Sequence, residues 1–242
     1  MSDGLVVSAV ILCGGLGTRL RPVLPNSPKT LATINSTPFL IYLLDQICQS
    51  AITEVILCTG HLSKEIVDKI GYSYKQLRIH YSHEEKPLGT GGALRNCLSR
   101  VSNELILVMN GDSYVDVSLN NFIEFHKDTG VGVSMITKEA DNLSRFGRVV
   151  LDKSNRVIEF SEKEVRRTAE KGFINAGVYL IKKTIIEELP DFGQFSLEKE
   201  VFPGLIVVGL QGFITQWRFI DIGTPESYLQ SQSIIHSFNK KN

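Results

Sequence analysis

The chain has 242 residues, of which 43% are hydrophobic and 21% are charged, and this suffices for one large α/β domain over residues 1–242. The 26 basic residues equal the 26 acidic residues, so the chain lacks the net basic field that general nucleic-acid binding requires. The first apolar run is too short to span a bilayer and lacks the features of a signal peptide. We therefore expect a cytoplasmic protein that binds neither nucleic acid nor membranes.

The first 136 residues alternate predicted strands and helices. An apolar run from Leu5 to Leu12 predicts a strand that is buried on both faces. Further strands are predicted over residues 54–59, 77–81, 104–109 and 131–136. Helices are predicted to start at Thr37-Pro38, with a capping hydroxyl and a proline in the first helical position, and at the caps Ser63 and Ser118. Strands that alternate with helices indicate βαβ units and a mainly parallel sheet.

The pattern changes after about residue 141. Residues 148–151 and 156–160 flank a polar turn and predict a β-hairpin. Another strand is predicted over 174–181, and an alternating segment runs from 213 to 220 before Asp221. A closing helix is predicted from Thr224-Pro225 through Ile235.

The cysteines and histidines do not indicate a metal site. Cys13, Cys48, Cys58 and Cys97 form no Cys-x-x-Cys pair, and three of them lie in apolar segments, so free thiols are expected. His126 lies among apolar neighbours on a predicted helix, and we expect it to be structural.

The first strand ends at a glycine-rich loop, Gly14-Gly15-Leu16-Gly17-Thr18-Arg19-Leu20. Glycines let the backbone approach a ligand closely and turn its N–H groups towards an anion. Arg19 adds a guanidinium suited to phosphate, and Lys29 follows ten residues later. The loop is neither a Walker P-loop nor a dinucleotide fingerprint, since Leu20 takes the place of the third glycine. A tight turn would explain the glycines alone, but Arg19 and Lys29 favour a polyphosphate site.

A second glycine-rich turn, Pro87-Leu88-Gly89-Thr90-Gly91-Gly92-Ala93, follows a predicted strand and opens a helix. Its N–H groups and the helix dipole can face a ligand, although a plain helix start capped by Thr90 would fit as well.

Two aspartates follow predicted strands. Asp112, in Asn110-Gly111-Asp112, comes after residues 105–109, where a hairpin turn is the alternative. Residues 114–117 are too short and poorly patterned to pair back, and the carboxyl end of a parallel strand is a usual place for a ligand-binding carboxylate. Asp221 similarly precedes the closing helix, with a turn or capping role as its alternative.

Together these stretches resemble the sugar-1-phosphate nucleotidylyltransferases. The family pattern GGxGTRLxP, a short spacer and PK matches residues 14–22 and 28–29, with Leu24 where the family often has threonine. The 87–93 turn is similar to the family's nucleoside-pocket segment. The resemblance implies a three-layer α/β/α sandwich with a mostly parallel mixed central sheet, the Rossmann-like nucleotide-diphospho-sugar transferase fold.

The two aspartates also match family motifs. Asn110-Gly111-Asp112 resembles the family's metal-binding motif, and residues 221–225 resemble its closing DIGTP motif, followed by Tyr228. The resemblance implies that Asp112 and Asp221 bind Mg²⁺, which suits a site of two carboxylates and substrate phosphates.

The resemblance further implies the reaction and the residues that perform it. A sugar 1-phosphate would attack the α-phosphorus of a nucleoside triphosphate and release pyrophosphate. Residues 1–140 would bind the nucleotide and residues 141–242 the sugar phosphate. The implied catalytic residues are Arg19, Lys29, Asp112, Lys163 and Asp221. The implied nucleotide-binding residues are Leu12, Gly14, Gly15, Gly17, Thr18, Arg19, Lys29, Glu84, Pro87, Gly89, Thr90, Gly91, Asn110 and Gly111.

The prediction of the residues that bind the sugar phosphate depends most strongly on the resemblance. They are Gly147, Glu162, Lys163 and Asn175. By itself, Glu162-Lys163 would be interpreted as a solvated surface pair.

Within the family, the motif variants are most similar to those of the D-glycero-D-manno-heptose 1-phosphate guanylyltransferases, which use GTP. Guanine has two adjacent donors, N1–H and N2–H₂, which one carboxylate can accept. Glu84, between a predicted strand and the 87–93 turn, is the candidate, although it is as readily a surface glutamate beside Lys86, with Glu85 as the second choice.

Several alternatives remain open. The substrates could be mannose 1-phosphate with GTP, or glucose 1-phosphate with a pyrimidine nucleotide, and the protein could be a monomer or a homo-oligomer. A non-catalytic nucleotide-sugar sensor could retain the loops but would be expected to lose a carboxylate or lysine. An NAD-linked oxidoreductase is disfavoured, because Leu20 takes the place of the third glycine of the dinucleotide fingerprint.

Overall fold

The protein is built around a mixed β-sheet, seen in a computed structural model that describes residues 6–15, 17–20, 22–25, 27–141, 143, 146–162 and 171–235. The strands are β1 (Val7–Leu12), β2 (Thr33–Ile34), β3 (Thr37–Pro38), β4 (Glu54–Thr59), β5 (Ser73–Tyr74), β6 (Leu77–His83), β7 (Leu105–Asn110), β8 (Ser113–Val115), β9 (Val133–Ala140), β10 (Arg148–Leu151), β11 (Val157–Ser161), β12 (Gly172–Lys182), β13 (Leu210–Thr215) and β14 (Phe219–Asp221). The α-helices are α1 (Phe39–Cys48), α2 (Ser63–Ile70), α3 (Gly89–Cys97), α4 (Leu119–Thr129), α5 (Lys183–Glu187), α6 (Phe202–Leu205) and α7 (Pro225–Ile235).

The centre of the sheet is parallel. β1 lies between β4 and β7, and Ala9 is paired with Val55 on one side and Leu107 on the other. β6 continues the parallel arrangement beyond β4, whereas β12 runs antiparallel to β7 and β9 on the opposite side. Residues 7–11 of β1 are all buried, as expected for a strand covered on both faces.

Helices cover both faces of this sheet. Ala9 and Ile11 pack into a core with residues of α1, α2 and α4, whereas Val10 packs into a second core with residues of α3, α5 and α6. Fully buried leucines such as Leu43 each contribute about 1.5–3 kcal/mol to this packing. The predicted three-layer α/β/α sandwich is therefore confirmed.

The predicted start of the first helix is wrong. Thr37 and Pro38 form β3, in which Thr37 pairs with Ile34, and α1 begins only at Phe39. Thr37 makes no cap because its backbone belongs to this short antiparallel pair.

The predicted caps of the next two helices have different outcomes. The N-cap of α2 is Leu62 rather than Ser63, whose hydroxyl lies 3.0 Å from the Thr59 hydroxyl. The cap at Ser118 is confirmed, because its side chain accepts the N–H of Asn121.

The second half of the chain contains more separate strands than the sequence predicts. Residues 213–220 are not one strand: β13 pairs with β9, whereas β14 pairs with β8 in a separate two-stranded ribbon. Asn110-Gly111 does not turn β7 back on itself, so the hairpin alternative is excluded. The predicted hairpin is confirmed as the antiparallel pair of β10 and β11.

The cysteines are free thiols, as predicted, with Cys13, Cys58 and Cys97 buried and Cys48 partly buried. Within the described ranges, no helix combines the length and apolar character needed to cross a bilayer.

His126 is a buried residue of α4 that faces β9. Its Nδ1 is 2.8 Å from the hydroxyl of Ser134, and the side chain is 3% exposed. Burial, with a smaller effect from the positive charge of Lys182, lowers the pKa of His126 to about 4. The imidazole is therefore neutral at pH 7, which agrees with the expected structural role.

The depressed pKa of His126 predicts a pH-dependent stability. The histidine is protonated near pH 6.5 in the unfolded chain and only near pH 4 in the folded chain. The stability that the neutral imidazole contributes to the fold is therefore present above pH 6.5 and is lost as the pH falls towards 4. Between pH 7.5 and 5.0, the wild type should lose about 2 kcal/mol more free energy of unfolding than His126→Gln. Urea unfolding at both pH values measures the difference, and equal losses would contradict the prediction.

Candidate active site

The candidate site lies where the parallel strands β1, β4, β6 and β7 end. Their carboxyl ends share one edge of the sheet, which is where open α/β sheets bind ligands. A cleft at this edge has two compartments, the first of about 340 Å³ and the second of about 420 Å³. Thr90, Asn110 and Asp112 line both compartments, so the two are adjacent.

Most residues predicted to bind a nucleotide surround the first compartment. Its lining, among the described residues, consists of Leu12, Gly14, Gly15, Glu84, Pro87, Gly89, Thr90, Ala93, Asn110, Asp112 and Gln194. Arg19 lines the second compartment instead. Gly17, Thr18, Lys29, Gly91 and Gly111 belong to the same loops without being part of either described lining.

Glu84 follows β6, and its carboxylate turns back towards the end of β1. Its Oε2 accepts the N–H of Leu88 at 3.2 Å, and its Oε1 occupies the space that a side chain at Gly14 would need. Burial raises the pKa of Glu84 above its ordinary value, and the Leu88 hydrogen bond opposes this rise. Interpreting Glu84 as a surface glutamate is therefore wrong, whereas Glu85 is exposed.

The first turn of α3 is bound by Phe195, from the second half of the chain. The N–H groups of Gly91 and Gly92 donate to the Phe195 carbonyl at 3.0 and 3.3 Å, and the Phe195 N–H donates to Leu88 at 3.0 Å. Gly89 has a φ of 72°, and a Cβ at this position would collide with the Phe195 carbonyl, so both conformation and space require glycine. The expectation that this turn's N–H groups face a ligand is wrong for Gly91 and Gly92.

Gly111 brings the end of β7 against the end of β1. Its N–H donates to the Leu12 carbonyl at 3.0 Å, and a Cβ at Gly111 would lie only 2.7 Å from that oxygen. This close approach places Asn110 and Asp112, on either side of Gly111, at the junction of the two compartments.

The β8–β14 ribbon brings the two predicted metal-binding aspartates together. Asp221 is paired with Ser113, and the N–H of Ile222 donates to the backbone oxygen of Asp112 at 3.0 Å. Both aspartates line the second compartment. The Asp221 carboxylate also accepts the N–H of Gly223 at 3.0 Å, which orients it.

Lys29 forms an ion pair with Asp112. Its Nζ lies 2.5 Å from Oδ2, and only 16% of the lysine side chain is exposed. The hydroxyl of Ser113 donates to the other carboxylate oxygen at 3.2 Å. Because an ammonium has three N–H donors, Lys29 can hold Asp112 and also donate to a phosphate in the cleft.

Three of the four residues predicted to bind the sugar phosphate line the second compartment. Gly147, Glu162 and Asn175 line it, together with Phe146 and Phe219, whose rings pack edge to face with centroids 5.3 Å apart. Lys163 lies outside the described residues, so its contact with a sugar phosphate stays a prediction.

Glu198 is a member of the second compartment that the sequence analysis missed. It lies on a short π-helix, Leu197–Val201, and is 8% exposed. Its Oε2 accepts the hydroxyls of Thr90 at 2.6 Å and Ser196 at 2.8 Å. The only signal in the sequence is an acid beside the apolar residues Leu197 and Val201, in a segment without a recognised motif.

The predicted metal ligands are the carboxylates of Asp112 and Asp221. Within the described part of the chain, no group of three or more histidine, cysteine, aspartate or glutamate side chains could hold a metal. Mg²⁺ is usually bound through one or two carboxylates and completes its coordination with water and substrate phosphates. Asp112 and Asp221 therefore fit Mg²⁺ accompanying a bound triphosphate.

Comparison with known sequences identifies relatives over nearly the whole chain. A family model described as "Nucleotidyl transferase" matches residues 8–237. The D-glycero-alpha-D-manno-heptose 1-phosphate guanylyltransferase of Aneurinibacillus thermoaerophilus is 35% identical over 96% of this chain and 100% of that protein. The mannose-1-phosphate guanylyltransferase of Mycobacterium tuberculosis is 34% identical over 94% of this chain and 64% of that protein.

Comparison with solved structures agrees. The crystal structure of HddC from Yersinia pseudotuberculosis complexed with GMP-PN has a TM-score of 0.82 and 32% sequence identity, covering 94% of this chain and 99% of that chain. The family match includes both glycine-rich turns and both aspartate motifs. The chain therefore belongs to the nucleotidyl transferase family, as its loop and aspartate motifs predicted.

Proposed function

We propose that the protein transfers GMP from GTP to a sugar 1-phosphate and releases pyrophosphate. The observation that carries this proposal is the position of Asp112, which lines both compartments, forms an ion pair with Lys29 and lies beside Asp221 across the β8–β14 ribbon. A nucleoside in the first compartment and a sugar phosphate in the second would bring their reacting phosphates to the junction of the two compartments. The guanylyltransferase names of the relatives support GTP as the donor.

The proposed chemistry is an in-line displacement at the α-phosphorus of GTP. An oxygen of the sugar 1-phosphate forms the new P–O bond, and the bond to pyrophosphate breaks, so that pyrophosphate leaves with the electron pair. This reaction needs no protein nucleophile. Catalysis would come from positioning and from the positive charges of Arg19, Lys29 and the predicted sugar-phosphate ligand Lys163.

Mg²⁺ is the cofactor that we propose for Asp112 and Asp221. When bound, it would neutralise negative charge on the α-phosphate and on the departing pyrophosphate. Lys29 and the Ser113 hydroxyl contact opposite oxygens of Asp112 and thereby fix the orientation of this carboxylate.

Glu84 is the residue that we propose for guanine recognition. It lines the first compartment, and its carboxylate is partly desolvated. A carboxylate has about four acceptor positions, so Glu84 can accept the Leu88 N–H and still accept N1–H and N2–H₂ of guanine. Uracil and thymine have one ring N–H and would leave part of this acceptor unpaired.

For the sugar, we propose D-glycero-α-D-manno-heptose 1-phosphate, with the product, a GDP-heptose, serving cell-surface polysaccharide synthesis. The resemblance of the motifs and the Aneurinibacillus thermoaerophilus relative support this choice. Mannose 1-phosphate is the second candidate, supported by the Mycobacterium tuberculosis relative.

A non-catalytic nucleotide-sugar sensor is the alternative from another class. Such a protein would need the compartments but neither the paired carboxylates nor the lysine that contacts one of them. The convergence of Asp112, Asp221 and Lys29 favours an enzyme.

A product assay tests the proposed function. Purified protein with MgCl₂ should form GDP-sugar and pyrophosphate most efficiently from GTP and the manno-heptose 1-phosphate, and less efficiently from GTP and mannose 1-phosphate. The assay crosses GTP, UTP, CTP and dTTP with heptose, mannose and glucose 1-phosphates. Equal or better activity with dTTP or CTP and glucose 1-phosphate would overturn the base and sugar assignments, and binding without turnover would favour the sensor.

Removing either aspartate charge should abolish turnover without unfolding the protein. Asp112→Asn and Asp221→Asn should each lower kcat by about 100-fold or more, since each removes a negative charge that would hold Mg²⁺ beside the reacting phosphates. Each should also weaken the Mg²⁺ dependence of GTP binding, measured by calorimetry. Asp45→Asn is the matched control, because Asp45 pairs with Lys75 outside the cleft. Wild-type turnover in either cleft variant would exclude the proposed metal site.

Glu84→Gln should reduce the preference for GTP over UTP more than it reduces turnover with GTP. The loss of a hydrogen bond to a charged group costs about 1.5–3 kcal/mol, or roughly ten- to a hundred-fold in the ratio of kcat/KM values. The exposed Glu85→Gln variant is the matched control and should keep the wild-type preference. If Glu84→Gln also kept that preference, Glu84 would not contact the base.

A further inference from the structure

A chain of side-chain hydrogen bonds crosses the cleft from the nucleotide turn to the sugar side. Thr90 donates to Glu198 Oε2 at 2.6 Å, and the Tyr179 hydroxyl donates to Oε1 at 3.3 Å. Asn175 in turn donates through Nδ2 to the Tyr179 hydroxyl at 2.7 Å. We call Thr90, Glu198, Tyr179 and Asn175 the Glu198 network.

The ends of the Glu198 network lie where the two substrates would bind. Thr90 lines both compartments, whereas Asn175 and Glu198 line the second. The remaining polar atom of the Asn175 amide, Oδ1, accepts the N–H of Gly177 at 2.9 Å. Since both polar atoms of the amide are engaged, the orientation of Asn175 depends on Tyr179 and, through it, on Glu198.

The backbone couples the same two regions. The N–H of Leu197, beside Glu198, donates to the Thr90 hydroxyl at 2.9 Å, and Phe195 holds the N–H groups of Gly91 and Gly92. The nucleotide turn and the segment that carries Glu198 are therefore packed as one unit. A displacement of Thr90 would break the bonds of a buried carboxylate, which is costly unless Glu198 moves with it.

We propose that Glu198 is a positioning residue that makes the binding of the two substrates cooperative. A nucleotide that adjusts the position of Thr90 moves Glu198 with it, and Tyr179 transmits this adjustment to Asn175 in the second compartment. The substrate that binds second then meets a compartment that the first has already adjusted, and the coupling is reciprocal. This inference rests on the proposed function, because it requires both substrates to occupy the cleft together.

Equilibrium binding without turnover tests the coupling. The nucleotide probe is the α,β-methylene analogue of GTP, which cannot be cleaved at the α-phosphorus. The sugar probe is whichever of manno-heptose 1-phosphate and mannose 1-phosphate has the higher kcat/KM. Calorimetry gives the Kd of the sugar phosphate with and without saturating analogue. In the wild type, the analogue should tighten this Kd at least about fivefold.

The variants interrupt the Glu198 network at separate points. Tyr179→Phe removes the hydroxyl that joins Asn175 to Glu198, and Thr90→Val removes the hydroxyl that joins the nucleotide turn to Glu198. In both variants, the analogue should change the Kd of the sugar phosphate less than twofold. This holds even if the variant changes the Kd of each substrate measured alone. Thr90→Ser keeps the hydroxyl and should restore the coupling.

A control variant removes a more deeply buried threonine hydroxyl outside the cleft. Thr215 in β13 is 3% exposed and accepts the N–H of Trp217 at 3.1 Å. Thr215→Val should retain wild-type coupling, which separates loss of the network from a general loss of stability.

The proposal would be overturned if Tyr179→Phe and Thr90→Val both kept the wild-type coupling. It would also be overturned if the wild type showed no coupling, or if the sugar phosphate failed to bind beside the analogue. The product assay distinguishes this result from failure of the proposed function. An enzyme that forms GDP-sugar but shows no coupling keeps its function and loses only the role assigned to Glu198.

Discussion

The parallel pairing of β1 with β4 and β7 is the constraint on which the rest of the structure depends. Because these strands run in the same direction, the chain leaves each of them at the same edge of the sheet. The loop after β1 and the Asn110-Gly111-Asp112 segment after β7 must therefore be neighbours. The hydrogen bond from Gly111 to Leu12 fixes their separation, and only glycine fits in the space between them.

The second half of the chain completes the cleft by two long-range pairings. β14 joins β8 and brings Asp221 beside Asp112, while Phe195 joins the first turn of α3 and places Glu198 beside Thr90. Thr90 is therefore a contact between the halves as well as part of the compartment lining. The nucleotide side of the cleft takes its shape partly from residues after 190, so it is not built by the first half of the chain alone.

Asp112, Glu84 and Glu198 have different surroundings in this cleft, and the differences suit different tasks. Asp112 is paired with the ammonium of Lys29 and lies at the junction of the compartments. Glu84 has a single backbone donor, and burial raises its pKa, so further donors from a ligand would stabilise its charged form. Glu198 accepts hydrogen bonds from the hydroxyl groups of Thr90, Tyr179 and Ser196, which favours a positioning role over a catalytic one.

The sequence by itself determined the fold class, the edge of the sheet where the site lies, and most of the first compartment. Buried parallel strands produce continuous apolar runs, and loops that approach phosphates need glycine and basic residues, so both leave local patterns. The sequence did not reveal that Thr37-Pro38 is a strand, that Phe195 occupies the N–H groups of Gly91 and Gly92, or that Glu198 belongs to the cleft. Only the tertiary structure decided these features, because each depends on a partner distant along the chain or on a competing backbone pairing, and neither leaves a periodic signal in neighbouring residues.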